Sequence, residues 1–279
     1  MFLEIIKFII YSALIVLISK YILVTTLRKL AESLKLKPKT VGNIAGYATS
    51  IPELLTITTS SLRGLSGASV YNIISSNVIN FIQYIGAILL NKNVDKIKNR
   101  AIITDIILVI FTNLIPIVLL KMNIELNIMI VPIFVILYIL FRVINDNVHK
   151  MYLKNEDEKI EHEIEVEEEK ESKNRFQTIK YIIYLVITGF LLYFVGDKLG
   201  NTLETLCKLF NISEAIIGIL LGFITSIPEL MTFFESQKHY KNEDDDMLGV
   251  VEATNNLLTS NILNLFAIQT IGILITSIL

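Results

Sequence analysis

Long, almost uncharged apolar runs constrain the fold of this chain more than any other feature of its sequence. Residues 101–120 and 127–145, for example, each form a run of mostly aliphatic side chains. A helix of about 20 such residues crosses the ~30 Å hydrocarbon layer of a bilayer. The 279-residue chain is 53% hydrophobic, and its mean hydropathy is +0.59. We therefore predict an all-α protein, a polytopic transmembrane helical bundle of about eight spans.

The predicted spans are joined by connections of unequal charge. The spans are residues 2–26, 41–62, 67–90, 101–120, 127–145, 177–196, 212–235 and 248–278. Lysine and arginine cluster in connections 27–40 and 91–100, whereas the connections that alternate with these are nearly free of them. The positive-inside rule places both clusters in the cytoplasm and the N-terminus outside. We expect an integral protein of the plasma (cytoplasmic) membrane.

A hydrophilic linker divides the chain into two transmembrane halves, residues 1–148 and 176–279. The linker, residues 149–175, contains the acidic stretch KNEDEKIEHEIEVEEEKESKNR, and the alternation of spans puts it in the cytoplasm. Its carboxylates lack the regular spacing and the glycine of an EF-hand loop. We interpret it as a solvated tether rather than as a Ca²⁺ sensor.

Each half contains one copy of an internal repeat. TSIPELLT at residues 49–56 recurs as TSIPELMT at residues 225–232. NIISSNVIN at residues 72–80 recurs as NLLTSNILN at residues 256–264. An odd number of predicted spans separates the copies, so they run through the membrane in opposite directions. Inverted repeats of this kind are typical of secondary transporters, whose ions bind near the bilayer midplane.

The repeated residues place costly polar groups inside predicted spans. Glu53 and Glu229 would each cost roughly 2.5–3.5 kcal/mol or more at the bilayer centre without a cation, a proton or a partner. Pro52 and Pro228 precede them and should kink each helix, which frees backbone carbonyls. Hydroxyl and amide side chains spaced by four residues add a shared polar face. Such an all-oxygen shell suits hard cations, and two carboxylates balance one Ca²⁺.

Other kinds of site have little support in the sequence. Cys207 is the only cysteine, which excludes an internal disulfide and a cysteine-based metal site. The net charge of −2 and the lack of a basic motif argue against nucleic acid as a partner. Residues 64–67, GLSG, fit a serine-protease pattern, but His149, His162 and His239 all fall outside the predicted spans. A serine nucleophile needs a nearby base, so we do not expect an enzyme.

At the repeats the chain resembles the Ca²⁺/cation antiporter superfamily, on the Na⁺/Ca²⁺ exchanger side. That family's α-repeats carry G-[ST]-S-x-P-E, matched by residues 48–53 and 224–229, and then G-S-N-x-x-N/D, matched by residues 75–80 and 259–264. The resemblance implies an inverted-repeat exchanger fold, with α-repeats at 41–90 and 212–270. It also implies a sliding gate formed by the first helix of each half, and Ca²⁺ and Na⁺ as transported ions without a resident cofactor. The ion ligands that it implies are Glu53, Glu229, Thr49, Ser50, Ser76, Asn80, Thr225, Ser226, Ser260 and Asn264.

The chain departs from the family's pattern at several positions. Ala48, Ile224, Ser75 and Thr259 replace motif glycines, which should tighten helix contacts, and Asn264 stands where some relatives have aspartate. The family usually has five plus five spans, whereas this chain has five plus three. We expect a second copy of the chain or a partner chain to cover the flank of the shorter half.

The sequence therefore predicts a secondary active antiporter that exchanges Ca²⁺ for Na⁺ by alternating access. Two alternatives stay open. The first is a Ca²⁺/H⁺ or K⁺-linked exchanger that uses the same glutamates. The second is a membrane protein that binds ions or regulates a partner without transporting, which the shorter second half would fit.

Overall fold

The described residues of the computed structural model are 2–34, 36–122, 124, 126–152, 175–211, 213–241 and 246–279, and all of their regular structure is helical. The α-helices in chain order are α1 (Phe2–Ile18), α2 (Thr25–Ser33), α3 (Pro38–Thr49), α4 (Ile51–Leu62), α5 (Ser66–Leu90), α6 (Arg100–Lys121), α7 (Val131–Tyr152), α8 (Arg175–Phe210), α9 (Glu214–Thr225), α10 (Ile227–Lys241), α11 (Asp246–Ile262) and α12 (Gln269–Ile278). Two π-helical segments, Ser19–Val24 and Leu263–Ile268, join α1 to α2 and α11 to α12, so that each pair is one continuous helix. Short 3₁₀ helices precede α6 and α7, at Val94–Lys98 and Ile128–Ile130. The all-α prediction is confirmed.

Seven of the described helical stretches are long and apolar enough to cross a membrane. They are Phe2–Leu30, Ser66–Leu90, Arg100–Lys121, Ile128–Tyr152, Gln177–Phe210, Glu214–Tyr240 and Met247–Ile278. The other predicted span, 41–62, corresponds to α3 and α4, which are rich in threonine and serine and therefore less apolar. A helical bundle of about eight spans is thus confirmed. Most of the acidic linker, residues 153–174, lies outside the described residues.

Both TSIPEL segments interrupt a span, as the prolines predict. The helix α3 ends at Thr49 and α4 begins at Ile51, while α9 ends at Thr225 and α10 begins at Ile227. Proline is therefore the second residue of α4 and of α10. A proline is favourable there because the first residues of a helix have no intrahelical acceptor for their N–H groups. Each repeat consequently contributes two half-helices and places its glutamate in the first turn of the second one.

In each repeat, the half-helix before the break packs along the long helix of the other repeat. The half-helix α3 of the first repeat lies along α11 of the second, and α9 of the second repeat lies along α5 of the first. The motif-bearing helices α5 and α11 also contact each other. The two halves are thus interleaved, with each half-helix that precedes a break packed against the opposite repeat.

Glycines spaced by four residues permit these close helix contacts. They are Gly42, Gly46, Gly218 and Gly222. A Cβ atom at Gly42 would lie 2.3 Å from the backbone oxygen of Glu252, and one at Gly218 would lie 2.5 Å from that of Ala68. Gly218 follows Gly42 by 176 residues (218 − 42), which is also the offset between the TSIPEL copies (225 − 49). Small residues at this spacing are a common way for membrane helices to approach closely.

The hairpin of α6 and α7 is attached to the repeats by a buried polar cluster. Asp105 Oδ2 lies 2.6 Å from His149 Nε2, and Asn145 Nδ2 donates to Asp105 Oδ1 at 2.8 Å. Asn145 also reaches Asn255 Oδ1 on α11, at 3.3 Å. The expectation that every histidine falls outside the spans is therefore wrong for His149, which is 2% exposed. The helix α7 continues past this cluster to Tyr152.

The first helices of the two halves lie together at the side of the bundle. The helix α1 packs along α8, and Ile15 and Leu192 are buried in their shared apolar cluster with Leu221 of α9. The opposite face of α8 exposes large apolar side chains such as Phe190 and Phe194, each 64% exposed. We expect this apolar face to contact lipid in a bilayer.

Candidate ion-binding site

All ten residues that the sequence analysis selected are buried in one region between the repeats. They are Thr49, Ser50, Glu53, Ser76, Asn80, Thr225, Ser226, Glu229, Ser260 and Asn264, and none is more than 1% exposed. They come from both sides of the two helix breaks and from the facing surfaces of α5 and the continuous helix α11–α12. Their use as ion ligands stays a prediction, but their assembly in space is a property of the fold.

The two glutamates occupy equivalent positions, each in the first turn of the half-helix after a break. Glu53 and Glu229 are both fully buried. Neither carboxylate oxygen of Glu53 has a hydrogen-bond partner among the described residues, and neither has Oε2 of Glu229. The two carboxylates interact electrostatically with each other. The N-terminal ends of α4 and α10 favour negative charge, but a buried carboxylate without further partners still requires a counter-charge or a proton.

Two serine hydroxyls connect the repeats beside Glu229. Ser260 Oγ donates to Glu229 Oε1 at 3.1 Å and lies 3.0 Å from Ser50 Oγ, which belongs to the other repeat. Asn80 Nδ2 also donates to Ser260 Oγ, at 3.4 Å. These contacts bring the break in the first repeat within two hydrogen bonds of the carboxylate in the second. The predicted convergence of the two repeats is thus present in the structure.

The hydroxyls of Ser226, at the other break, and of Ser76, on α5, donate to backbone carbonyls. Ser226 Oγ donates to Gly222 O at 2.7 Å, and it is 3.4 Å from Ser76 O on α5. Ser76 Oγ donates to Ile73 O at 3.3 Å. A hydroxyl whose hydrogen is committed in this way still has oxygen lone pairs for a cation. Thr225 Oγ1 is buried and has no partner in the part of the chain that the structure describes.

Two asparagines add amide oxygens to the site. Asn80 Nδ2 donates to Asn261 Oδ1 at 3.4 Å, and Asn264 Nδ2 donates to Asn77 Oδ1 at 3.1 Å. Because each NH₂ group is held by the opposite repeat, each amide oxygen is left over. Asn80 Oδ1 and Asn264 Oδ1 are indeed buried without a hydrogen-bond partner within the described residues. The orientation of both amides suits a cation better than an anion, since oxygen is the group they offer.

Several residues of the site's framework recur in both repeats but were not among the ion ligands that the sequence analysis selected. Asn77 Nδ2 donates to Asn261 O and Asn261 Nδ2 donates to Asn77 O, both at 3.1 Å, which fastens α5 to α11. Asn72 Nδ2 donates to Thr56 Oγ1 at 2.6 Å. The second repeat has the same contact between Asn256 and Thr232. Each of these residues recurs in the aligned copy, so the repeat itself was the signal that would have found them.

The replaced motif glycines have a structural explanation at α5 and α11. Ser75 packs against Gly222, and Thr259 packs against Gly46. In each pair the glycine lies on the opposite helix and the larger residue lies at the motif position, so the two helices still pack closely. Thr259 Oγ1 also donates to Asn43 Oδ1 at 2.8 Å. The expected tightening is therefore relieved by glycines that the motif comparison did not consider.

The site has few charged groups. Among the described residues there is no group of three or more His, Cys, Asp or Glu side chains that could hold a metal ion. The charge of the site is thus limited to the two glutamates, because Asn264 stands where an aspartate would add a third. Two carboxylates surrounded by hydroxyl and amide oxygens match the donors that Ca²⁺ takes, and a smaller set of the same oxygens matches a monovalent hard cation.

Comparisons with known proteins agree with this geometry. The sequence model of the family described as sodium/calcium exchanger protein matches residues 5–145 and 180–279. A solved structure of the sodium-calcium exchanger NCX_Mj, soaked with 100 mM Na⁺ and 10 mM Sr²⁺, has a TM-score of 0.57 and 20% identity, and the match covers 99% of this chain and 83% of that one. A second structure of it, at 10 mM Na⁺ and zero Ca²⁺, has a TM-score of 0.55 and 21% identity over 99% and 84%. No curated protein matches the chain. The chain belongs to the sodium/calcium exchanger protein family, as an integral membrane cation antiporter and not an enzyme.

Proposed function

We propose that this antiporter exchanges Ca²⁺ for Na⁺ by alternating access, with both ions binding at the site between the repeats. The observation that carries the proposal is the pair of fully buried carboxylates, Glu53 and Glu229, with three unpartnered oxygens in the described structure. Together they supply two negative charges, which one Ca²⁺ neutralises. Two such groups from opposite repeats are costly to bury without a counter-charge or a proton, and a divalent cation would compensate both at once.

Sodium ions would occupy overlapping subsites. The oxygens of Thr225, Asn80 and Asn264 are buried without a hydrogen-bond partner in the described structure, so they are available to complete smaller oxygen sets with one or other carboxylate. Because Ca²⁺ requires six to eight oxygens, it shares ligands with each of these sets, and the two ions exclude one another. The mutual repulsion of the empty carboxylates opposes closure of the unloaded site, which couples the movement of one ion to that of the other.

Glutamine substitutions test this function directly. In proteoliposomes, Glu53→Gln and Glu229→Gln should each abolish Ca²⁺ flux driven by a Na⁺ gradient, because one remaining carboxylate cannot balance a divalent ion. Asp95→Asn is the matched control, since Asp95 is 85% exposed and its carboxylate pairs with the neighbouring, exposed Lys98. Near-normal flux in both glutamate variants would refute the assignment of the site.

The closest alternative is exchange of Ca²⁺ for H⁺, and one structural observation favours it. His149 Nε2 lies 2.6 Å from Asp105 Oδ2, and both side chains are buried within apolar helices, so this chain has a buried imidazole–carboxylate pair besides the glutamates. Flux driven by a pH gradient in the absence of Na⁺ would favour Ca²⁺/H⁺ exchange. Flux that also requires K⁺ would favour a K⁺-linked exchanger, and ion binding without any flux would favour a non-transporting role.

Orientation and assembly remain predictions. Basic residues near α2 and before α6 favour a cytoplasmic location for that end of the bundle, with the N-terminus of α1 outside and the plasma membrane as its location. Accessibility of introduced cysteines to an impermeant reagent tests the orientation. A second copy or a partner chain at the shorter half is tested by the mass of the purified protein in mild detergent, where a fully active monomer would contradict it.

A further inference from the structure

A buried ion pair closes one end of the bundle outside the site described above. Glu252, near the start of α11, is only 3% exposed. Its Oε1 accepts hydrogen bonds from Arg28 Nη2 at 2.6 Å and from Ser236 Oγ at 2.5 Å. We call this end, where α2, α10 and the start of α11 meet, the Arg28 end. None of these three side chains was selected from the sequence as part of the ion site.

Glu252 lies one helical turn from the framework of the ion site. Asn256 is the next residue on the same face of α11, and its Oδ1 accepts a hydrogen bond from Thr49 Oγ1 at 3.5 Å. Asn256 also bonds Thr232, three residues after Glu229. A cation that leaves the site toward the Arg28 end therefore meets Glu252 as the next carboxylate along this route.

A small cavity touches both the ion pair and the framework of the ion site. It has a volume of about 20 Å³, and its lining includes Arg28, Glu252 and Thr232. Its remaining walls are apolar side chains of the α1–α2 helix and of α3, namely Val24, Leu27, Val41, Ile44 and Ala45. A space of this size holds about one water molecule, so no hydrated ion passes while the pair is formed.

We propose that Glu252 is a transient cation-binding group on the route between the ion site and the Arg28 end, and that Arg28 occupies it as a tethered cation when this route is closed. Because the role presupposes ion transport, it rests on the proposed function. Arg28 belongs to the continuous helix α1–α2, so a displacement of that helix withdraws the guanidinium. The freed carboxylate then attracts the ion that replaces it.

The opposite end of the bundle has no equivalent buried carboxylate among the described ion pairs. There Arg63 pairs with Glu204 at 3.0 Å and with Asp197 at 3.3 Å, and the two acids are 29% and 47% exposed. Their carboxylates are hydrated without Arg63, so their ion pairs have little influence on a nearby ion. The Arg28–Glu252 pair differs from these surface ion pairs because its carboxylate is buried.

The proposal predicts that substitutions of Glu252 and of Arg28 change the half-saturating Ca²⁺ concentration in opposite directions. Half-saturation by Ca²⁺ is measured separately from each side in proteoliposomes sorted for one orientation. Glu252→Gln should raise the half-saturating Ca²⁺ concentration about tenfold at the Arg28 end, because the transient site is lost. Arg28→Gln should lower it several-fold at that end, because the competing guanidinium is lost. Values at the other end should stay within twofold for both variants.

A purely structural ion pair would behave differently. Removal of either partner would then loosen the same helix contact and shift half-saturation in the same direction, or equally from both sides, and either result overturns the proposal. Asp146→Asn is the matched control, since Asp146 pairs with Lys39 at the same end but is 58% exposed.

A second variant covers the case in which Glu252→Gln does not fold. The double variant Glu252→Asp with Arg28→Lys keeps both charges, so half-saturation at the Arg28 end should remain within threefold of wild type. A tenfold change would overturn the proposal. Wild-type exchange that is lost in Glu53→Gln, together with unchanged half-saturation in Glu252→Gln, would reject this role and leave the proposed function standing.

Discussion

Substitution of Gly218 by alanine tests whether close packing of α9 on α5 sets the geometry of the ion site. The new Cβ would lie 2.5 Å from the backbone oxygen of Ala68, 2.8 Å from the Cβ of Tyr71 and 3.0 Å from the backbone nitrogen of Asn72. A backbone oxygen cannot rotate away as a flexible side chain can. One helix must therefore move relative to the other.

The required movement is large compared with the tolerance of an ion site. The helices must separate by about 0.9 Å to bring the 2.5 Å contact to the 3.4 Å at which ordinary van der Waals contact begins. Ca²⁺–oxygen distances span only about 2.3–2.6 Å, so Thr225 on α9 and Ser76 on α5 can no longer both reach one ion. Overpacking of this kind costs about 1–3 kcal/mol. If the strain falls on the bound state, apparent Ca²⁺ affinity falls roughly 5- to 150-fold.

Two assays measure this effect. Calorimetric titration with Ca²⁺ should show the weaker affinity, and thermal unfolding in detergent should show a midpoint lower by about 2–4 °C for each kcal/mol of strain. Gly189→Ala on α8 is the matched control, because no atom lies within 4 Å of its new Cβ. Helix propensity alone would stabilise the control by up to about 1 kcal/mol. Wild-type affinity and stability in Gly218→Ala would refute the reasoning.

Two further substitutions address the charge of the site and the attachment of the α6–α7 hairpin. Asn264→Asp places a third carboxylate at the unpartnered Oδ1, so Ca²⁺ affinity measured by titration should rise about tenfold, or 1.4 kcal/mol; equal or weaker affinity would contradict this. Asp105→Asn removes a charged acceptor from His149 and Asn145, so the thermal midpoint should fall by the equivalent of about 1.5–3 kcal/mol, whereas the exposed Asp95→Asn should leave it unchanged.

The sequence predicted the spans, and it selected ten residues that prove to be buried between the repeats, because both inferences depend on local patterns. Apolar runs of membrane length define helices whatever their neighbours are, and proline predicts where a helix breaks. The inverted repeat then reduced the search for the site to residues that recur in both copies. Glu53 and Glu229 were selected in this way, and both are fully buried in the structure, while their use as ion ligands stays a prediction.

The features that the sequence did not reveal depend on contacts between distant helices. Nothing local marks His149 as buried, since its partner Asp105 comes from another helix and the polar end of α7 looked like a connection. The pairing of Arg28 with Glu252 joins residues 224 positions apart. The compensation of Thr259 by Gly46 likewise appears only when α3 and α11 are placed side by side.

The reciprocal bonds between Asn77 and Asn261 decide which parts of this antiporter can move. The side-chain NH₂ group of each asparagine donates to the backbone oxygen of the other, and both side chains are buried, so water does not readily replace a broken bond. A rotation of one half against the other would break both bonds at once, so we expect the crossing of α5 and α11 to be the least mobile part of the fold. For an antiporter that works by alternating access, as proposed above, we then expect the movements to fall on the peripheral helices, with the ions held at a constant depth between barriers that open in turn.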